Sequence, residues 1–336
     1  MSFNARFDEF INALRPGDGQ LAEAKTELDF LEKKLKTFIS DDDDFDFGKV
    51  LRSGSYAKNT LLKRHESGDF DADAAVYVKP PDEDEEPGLA TVLDYVEKLL
   101  RRAYANRTKR KPVFDRTPKS AVKVKFEVTP KINIDAVPVV AVDHATIPNW
   151  GKIPRRSGGF RSTSVTEHIT FVTERNKVPG VVPFNHLLMV MKWWRNHNFD
   201  ESEHAKFSSF ALELVVGKAF DAVRTRLSGL WLDDLLAIGT WILRHRFASP
   251  IDFPDPRVPA ATGVVDGQFL IIDPMNSDNN VAHDWMQRDV DEFLEGLDRF
   301  CDVVQDAANE AAAGEEHEAA LLLDQVLPNF SNWSVE

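Results

Sequence analysis

Three aspartates at every second position, Asp69, Asp71 and Asp73, lead directly into the apolar run AAVYV. Alternate residues of a strand share a face, so these carboxylates are expected on one side, roughly 6–7 Å apart along the strand. Like charges this close repel and raise one another's pKa values unless a cation lies between them. Magnesium prefers oxygen ligands and commonly binds carboxylates together with substrate phosphates. The spacing is compatible with a metal-assisted site, and a solvated acidic strand entrance is the alternative interpretation of D-x-D alone.

Two other features suit the same chemistry. Gly54-Ser55 precedes the aspartates, and there a glycine lets the backbone approach a phosphate while a serine hydroxyl hydrogen-bonds to it. By itself this pair is also an ordinary turn. Asp135 interrupts the apolar stretch INIDAVPVV, where an uncompensated charge is costly. It is either exposed on an open face or the third carboxylate of a metal site.

Strands and helices must position these residues. Period-two alternation and apolar composition predict strands at 47–55, 69–78, 121–128 and 130–142. The first half is also predicted to contain helices at 5–38 and 89–107, one or two helical turns at 57–63, and acidic loops at 41–47 and 80–88. In the second half, helices are predicted at 183–198, 206–220, 232–247 and 284–326, the last interrupted near AAAGEE, and a strand followed by a turn at 267–280. The polar segment 149–180 is expected to join two lobes.

Composition limits the classes of function. The 336 residues carry a net charge of −14, which argues against stable binding of duplex nucleic acid, although a local basic patch remains compatible with it. Cys301 is the only cysteine, so a disulfide within the chain and a multi-thiolate zinc site are excluded. No apolar run approaches the about 18 residues of a membrane span, and the N-terminus is acidic where a signal peptide is apolar. We expect a cytoplasmic protein without a membrane partner.

The order of the motifs resembles the DNA polymerase β-like nucleotidyltransferases. GSYAKNT, which contains Gly54, Ser55 and Thr60, followed by DADAAVYV is similar to the core of that family. KVKFEVTPKINIDAVPVV is similar to its pair of strands with the third acid. KWWRNHN with FSSFALELV, and LIIDPMNSDNNVA, are similar to motifs of its second lobe. Over about residues 40–290 the chain more narrowly resembles the bacterial DncV-like nucleotidyltransferases (CD-NTases).

This resemblance implies a bilobed α+β fold. Residues 1–165 are expected to form an N-terminal helix and a polymerase-β-like core, a mixed sheet with helices. Residues 166–336 are expected to form a mainly helical C-terminal lobe of oligoadenylate-synthase-like type. The implied enzyme joins ribonucleoside triphosphates, ATP among them, into a cyclic di- or trinucleotide and releases pyrophosphate. Its product would be a second messenger for a downstream effector in anti-phage defence. The alternatives are transfer of nucleotides to RNA or protein, and an inactive nucleotide-binding module.

The resemblance also implies roles for the acids. Asp71 and Asp73 are the paired metal ligands, because the strand follows Asp73 directly, and Asp69 is the alternate if the register differs by two. Asp135 is the third acid and acts on the acceptor hydroxyl, with Glu127 as a competing candidate. These acids would hold two Mg²⁺ ions, with Mn²⁺ as a possible substitute.

The remaining implied roles concern the phosphates. Gly54 and Ser55 are expected to hold the triphosphate, and Thr60 completes their motif. Lys192 lies beside an apolar helical stripe, from which its ammonium is expected to reach the phosphate tail, and Ser209 is expected to add a hydrogen bond. Without the resemblance, a solvated lysine and a helix-start serine are the simpler interpretations.

Overall fold

The acidic motif lies in a mixed sheet. The computed structural model of the protein describes residues 3–38, 46–63, 70–79, 88–107, 112–116, 121–126, 132–154, 159–199 and 206–332. Within these ranges the sheet has seven strands: β1 (Asp46–Ser53), β2 (Phe70–Lys79), β3 (Pro112–Asp115), β4 (Val122–Phe126), β5 (Ile132–Ala141), β6 (Trp150–Pro154) and β7 (Phe160–Ser164). The four strands predicted from alternation and composition are confirmed, as β1, β2, β4 and β5.

Among the described strands of this sheet, one neighbouring pair is parallel. Its order is β1-β2-β5-β4-β3, with β6 paired to β5 and β7 to β6. Strands β2 and β5 run parallel, whereas the other pairs are antiparallel. A parallel pair places the same ends of two strands side by side, so the polar N-terminal halves of β2 and β5 are neighbours.

One face of the sheet is buried by two helices, α2 (Asp18–Leu35) and α4 (Leu89–Tyr104). Both helices carry apolar residues at helical spacing, and these pack against the alternate positions of β2 that include Ala72 and Ala74. The intervening residues of β2 project to the opposite face, where Ala75 and Tyr77 form a smaller apolar cluster. The side chains of Asp71 and Asp73 belong to this second face.

Contacts divide the chain into two units. One comprises Pro16–Phe171 and contains the sheet; the other comprises Met1–Arg15 together with Val172–Glu336. The second unit is mainly helical. Helix α5 (Val165–Asn176) is divided between the units, and its residues from Val172 onward belong to the second one. The other elements of this unit are α1 (Phe3–Leu14), α6 (Phe184–Asn198), α7 (Ser209–Val223), α8 (Trp231–His245), β8 (Ile272–Asp273), β9 (Asn276–Asn280), α9 (Gln287–Ala312) and α10 (Glu316–Leu323). Helix α3 (Gly54–Ala57) completes the sheet unit.

Helix α1, predicted to belong to the 1–165 domain, lies in the same unit as the C-terminal part of the chain. Phe7 stacks on Trp231 with ring centroids 4.8 Å apart, and Phe10 contacts Phe330 at 5.1 Å. These aromatic contacts join α1 to the C-terminal part of the chain, and the division into units falls inside α5 and not at residue 165. The predicted helix 5–38 is interrupted at Pro16 and Gly17, since a proline disfavours helical geometry in the residue before it.

Three further segments differ from prediction. Segment 149–180, expected to be a connection, contains β6, β7 and α5. One or two helical turns are predicted at 57–63, but within the described residues 46–63 the helix comprises Gly54–Ala57. Asp46, expected in the acidic loop, begins β1, whereas 41–45 and 80–87 lie outside the described residues. None of the described helices has the length and apolar composition that crossing a membrane requires.

Candidate active site

A row of polar side chains crosses the sheet where β2 passes β5. The register pairs Asp73 with Asp135 on β5 and with Ser53 on β1. Two residues earlier on β2, Asp71 is paired with Asn133. Because alternate residues of a strand share a face, the carboxylates of Asp71, Asp73 and Asp135 project from one side of two adjacent strands. The structure therefore brings together three of the predicted acids, although they come from distant parts of the chain.

A lysine contacts two of these carboxylates. The Nζ atom of Lys123, on β4, lies 3.2 Å from Oδ2 of Asp71 and 3.5 Å from Oδ1 of Asp135. Asn133 donates a hydrogen bond from Nδ2 to Oδ1 of Asp71 at 2.8 Å. The lysine side chain is 17% exposed and the two aspartates 24% and 21%, so the group is partly shielded from water. Such shielding strengthens the attraction between the ammonium and both acids.

Asp73 has an unusual ionisation. Burial raises its pKa from 3.8 to about 6, and the negative charges of Asp135 and Asp71 act in the same direction. The ammonium groups of Lys58 and Lys123 oppose this shift but do not cancel it. At neutral pH the site therefore holds a charged carboxylate at a cost in free energy, which a bound cation would reduce.

The Gly-Ser turn lies directly against Asp73. Gly54 has a φ of 58°, a left-handed conformation that favours glycine. A Cβ atom added at Gly54 would lie only 1.9 Å from Oδ2 of Asp73. Glycine is required here both by the backbone conformation and by the close approach of the carboxylate. Gly54 and Ser55 are the first two residues of the one-turn helix α3. The predicted phosphate-binding turn and the predicted metal ligands therefore occupy the same part of the sheet unit.

Thr60 supports this turn from within. It is fully buried, and its backbone N–H donates to the carbonyl oxygen of Ser55 at 2.9 Å. Lys58 is also buried and donates its N–H to the carbonyl oxygen of Gly54 at 3.3 Å. These bonds fix the backbone on which the Ser55 hydroxyl is presented.

Lys192 and Ser209 belong to the other unit. Lys192 lies on α6 and is buried, so the simpler interpretation of a solvated lysine is wrong. Ser209 is the first residue of α7, and Ser208 caps that helix by accepting from the N–H of Ala211 at 3.1 Å. Arg195, one turn after Lys192, donates to Oγ of Ser209 at 3.2 Å. The predicted lysine and serine therefore belong to adjoining helices that a buried arginine connects.

Arg195 is the buried cation of that connection. It also donates to the carbonyl oxygen of Phe207 at 2.6 Å, and burial lowers its pKa to about 10, so it stays charged at neutral pH. The sequence patterns do not indicate three residues of these sites: Arg195 on α6, and Lys123 and Asn133 in the sheet. The signals were present but weak: KVKF alternates around Lys123, and KWWR places an arginine three residues after Lys192.

Two alternative acids lie outside the described residues. These are Asp69, the alternate metal ligand, and Glu127, the competing third acid. Their candidacy is unchanged by the structure.

The carboxylates of Asp71, Asp73 and Asp135 are suitable ligands for a divalent metal, but their side chains are not spaced as in a formed metal site. Carboxylate oxygens are the ligands that Mg²⁺ prefers, and three such groups share one face. Within the described ranges, however, no three His, Cys, Asp or Glu side chains are spaced as a formed metal site. The Lys123 ammonium supplies the positive charge between Asp71 and Asp135. The donor set therefore fits a metal, with a lysine acting as the cation in this conformation.

Comparison with known proteins identifies the family. Residues 1–176, more than half of the chain, match the family model described as the Second Messenger Oligonucleotide or Dinucleotide Synthetase (SMODS) domain. The chain belongs to the SMODS family. This SMODS protein is 28% identical over 271 residues to the cyclic AMP-AMP-AMP synthase of Escherichia coli strain MS 115-1, which covers 79% of this chain and 78% of that one. The predicted resemblance to bacterial CD-NTases is confirmed.

Other relatives extend the likeness over most of the SMODS protein. A CBASS oligonucleotide cyclase, CdnC, of Escherichia coli strain KTE188 is 27% identical over 285 residues, 84% of this chain and 77% of that one. The solved structure of Escherichia coli MS115-1 CdnC with ATP has a TM-score of 0.74 and 25% identity, and covers 98% of this chain and 97% of that one. Escherichia coli DncV bound to 3′-deoxy GTP, at 15% identity and a TM-score of 0.61, shares the fold. The predicted α+β class, a mixed sheet with helices and a helical C-terminal part, is confirmed.

Proposed function

We propose that this SMODS protein joins ribonucleoside triphosphates into a cyclic oligonucleotide and releases pyrophosphate. The names of its relatives, a cyclic AMP-AMP-AMP synthase and a CBASS oligonucleotide cyclase, support this activity and make ATP the first substrate to test. The product would be a second messenger that acts on a downstream effector in anti-phage defence. The family itself is defined by synthesis of second-messenger oligonucleotides or dinucleotides.

One observation of the structure carries the proposal. Carboxylates from β2 and β5 share a face, and a glycine turn packs directly against one of them, Asp73. A partly buried acidic cluster of this kind costs stability unless cations bind to it. The same observation argues against an inactive binding module, because such a module would gain stability by losing Asp73.

The transfer itself needs few groups from the protein. A ribose hydroxyl of one nucleotide attacks the α-phosphorus of another, the new P–O bond forms, and the bond to pyrophosphate breaks. Asp71, Asp73 and Asp135 are proposed to hold two Mg²⁺ ions, or Mn²⁺ in their place. When bound, these ions neutralise phosphate charge and lower the pKa of the attacking hydroxyl. Asp135 is proposed to orient that hydroxyl and to take part in removing its proton.

Phosphate binding is assigned to the Gly54–Ser55 turn. Without a Cβ at Gly54, the backbone can approach a phosphate closely, and the Ser55 hydroxyl supplies a donor. Thr60 is proposed to act indirectly, through the hydrogen bond from its N–H to Ser55. Lys192 and Ser209 remain proposed contacts of the phosphate tail, with Arg195 holding Ser209.

A protein partner belongs in any assay. Escherichia coli MS115-1 CdnC has been solved in a complex with HORMA-deltaN, and that structure matches this chain with a TM-score of 0.73 and 26% identity. A partner of that class is therefore proposed for this protein. Synthesis should be measured both with and without the corresponding partner.

The test is product analysis. The full chain is incubated with the four ribonucleoside triphosphates and Mg²⁺ or Mn²⁺, the products are treated with phosphatase, and resistant species are identified by mass spectrometry. Asp135→Asn is expected to lose pyrophosphate release. Asp46→Asn is the matched control, since Asp46 is an exposed residue at the start of β1 and pairs in register with Lys79 of β2, not with the acidic cluster. It is expected to retain activity.

Each other outcome has a defined meaning. Linear tails on added RNA, or nucleotides attached to a protein, would favour a transferase acting on macromolecules. Absence of pyrophosphate from the wild type under every condition, with partners present, would refute an enzymatic function.

A further inference from the structure

The ammonium of Lys123 lies between Asp71 and Asp135, where the proposed function requires a metal ion. Its Nζ atom contacts Asp71 Oδ2 at 3.2 Å and Asp135 Oδ1 at 3.5 Å, so one ammonium connects carboxylates of two strands. In the antiparallel β4–β5 pair Lys123 is directly opposite Asp135. The backbone register therefore fixes the lysine beside this acid, and the side chain extends from there to Asp71.

The neighbouring lysine of β4 shows a different arrangement. Lys125 lies two residues along the same strand and on the same face, but its Nζ contacts Asp115 of β3 at 2.5 Å. It is 45% exposed, whereas Lys123 is 17% exposed. Lys123 alone of this pair faces the acidic cluster, in a partly dehydrated setting where its charge has a stronger effect.

We propose that Lys123 is the internal counter-cation of the acidic site. It holds Asp71 and Asp135 in place before metal binds, and it leaves both carboxylates when a divalent ion enters. The inference rests on the proposed function, because it takes these acids as metal ligands. Its consequence is that the protein binds metal weakly by itself, since the metal must displace an ammonium already in place.

Ligand distances favour displacement over shared occupancy. Mg²⁺ binds oxygens at about 2.0–2.1 Å, so an ion ligated by both acids requires their oxygens to converge. These are the two oxygens that now face Lys123. An ion bridging them would therefore lie close to the present ammonium position, and two cations that close repel each other. Release of Lys123 removes that repulsion.

Metal affinity without nucleotide tests the proposal. Mn²⁺ is titrated into the full-length protein, and the free ion is measured by electron paramagnetic resonance. Lys123→Met is expected to bind Mn²⁺ about tenfold more tightly than the wild type. A neighbouring cation lowers the affinity of a carboxylate for a proton by about one to three powers of ten, and we expect an effect in the same direction on a metal ion. Lys125→Met is the matched control, and its affinity is expected to stay within about twofold of the wild type, since Lys125 faces Asp115.

A second measurement, on the wild type, tests the proposal even if Lys123→Met does not fold. In a crystal structure of the wild type soaked with Mn²⁺, located by anomalous scattering, Nζ of Lys123 is expected beyond hydrogen-bond distance of both acids. Equal or weaker Mn²⁺ binding by a folded Lys123→Met, or a lysine that keeps both contacts beside the bound ion, would overturn the inference. Because neither readout uses nucleotide, failure here is distinguishable from failure of the wild type to make a cyclic product.

Discussion

Replacing Asp73 by asparagine is expected to stabilise the metal-free protein while abolishing synthesis. The substitution keeps the size of the side chain and removes its charge. In the folded protein burial, together with the charges of Asp135 and Asp71, raises the pKa of Asp73 from 3.8 to about 6. The charged form is therefore less favourable in the folded state than in the unfolded state.

The magnitude follows from linkage between protonation and folding. A rise from 3.8 to about 6 corresponds to about 3 kcal/mol of lost stability once the carboxylate is ionised in both states. The sign is opposite to that of a salt-bridged acid. The folded state binds the proton more tightly, so this loss begins near the unfolded pKa, grows as the pH rises to about 6, and then stays constant. Asparagine avoids the loss at every pH.

Urea unfolding in EDTA, followed by circular dichroism, measures this effect. At pH 8 Asp73→Asn is expected to increase the free energy of unfolding by up to about 3 kcal/mol, and at pH 5 by about half as much. Asp46→Asn is the control, because Asp46 begins β1 as an exposed residue. It is expected to change stability by less than about 0.5 kcal/mol.

Two results would refute the reasoning. One is a folded Asp73→Asn that is no more stable than the wild type at pH 8 without metal. The other is a gain in stability that stays the same at pH 5 and pH 8, because a gain that does not vary with pH cannot come from ionisation of Asp73.

Three other substitutions test the surrounding structure. Gly54→Ala is expected to lower the free energy of unfolding by about 2 kcal/mol and the activity about 100-fold, because its Cβ would collide with the carboxylate of Asp73. Urea unfolding measures the first effect, and pyrophosphate release measures the second. Arg195→Met should lower the free energy of unfolding by about 2 kcal/mol through lost charge-assisted hydrogen bonds at the start of α7, again measured in urea. Asp234→Ala, which removes a buried acceptor of three N–H groups, should cost about 3 kcal/mol in the same assay, against less than about 1 kcal/mol for Asp233→Ala.

Local patterns predicted the strands of the site well. Alternation in DADAAVYV and in INIDAVPVV assigns each acid to a strand and gives Asp71 and Asp73 a common face. The pairing of β2 with β5 is a long-range contact, and no periodicity in either segment indicates it. Motif order supplied that information through the resemblance to a known family, and the register then places Asp73 beside Asp135.

The missed features depend on tertiary contacts. Alternation in KVKF puts Lys123 and Lys125 on one face, but only the positions of β3 and β5 decide that one lysine faces the acidic cluster and the other Asp115. The unit to which helix α1 belongs also depends on tertiary contacts. Its apolar stripe predicts a buried face, whereas the aromatic partner Trp231 lies more than 200 residues further along the chain.

The acidic row is tolerated because the opposite face of the same strands is well packed. On β2, Ala72 lies between the two acids and Ala74 follows them, and both are fully buried in the core that the helices cover. Ile134 and Ala136, on either side of Asp135 in β5, are buried in the same core. Rigid strands hold the carboxylates close together although their charges repel, since separating the strands would expose this core. A flexible loop would relax and let the acids separate. If these acids bind metal as proposed, that binding draws on repulsion already present in the folded protein, and its strength depends on how much of the repulsion Lys123 has already neutralised.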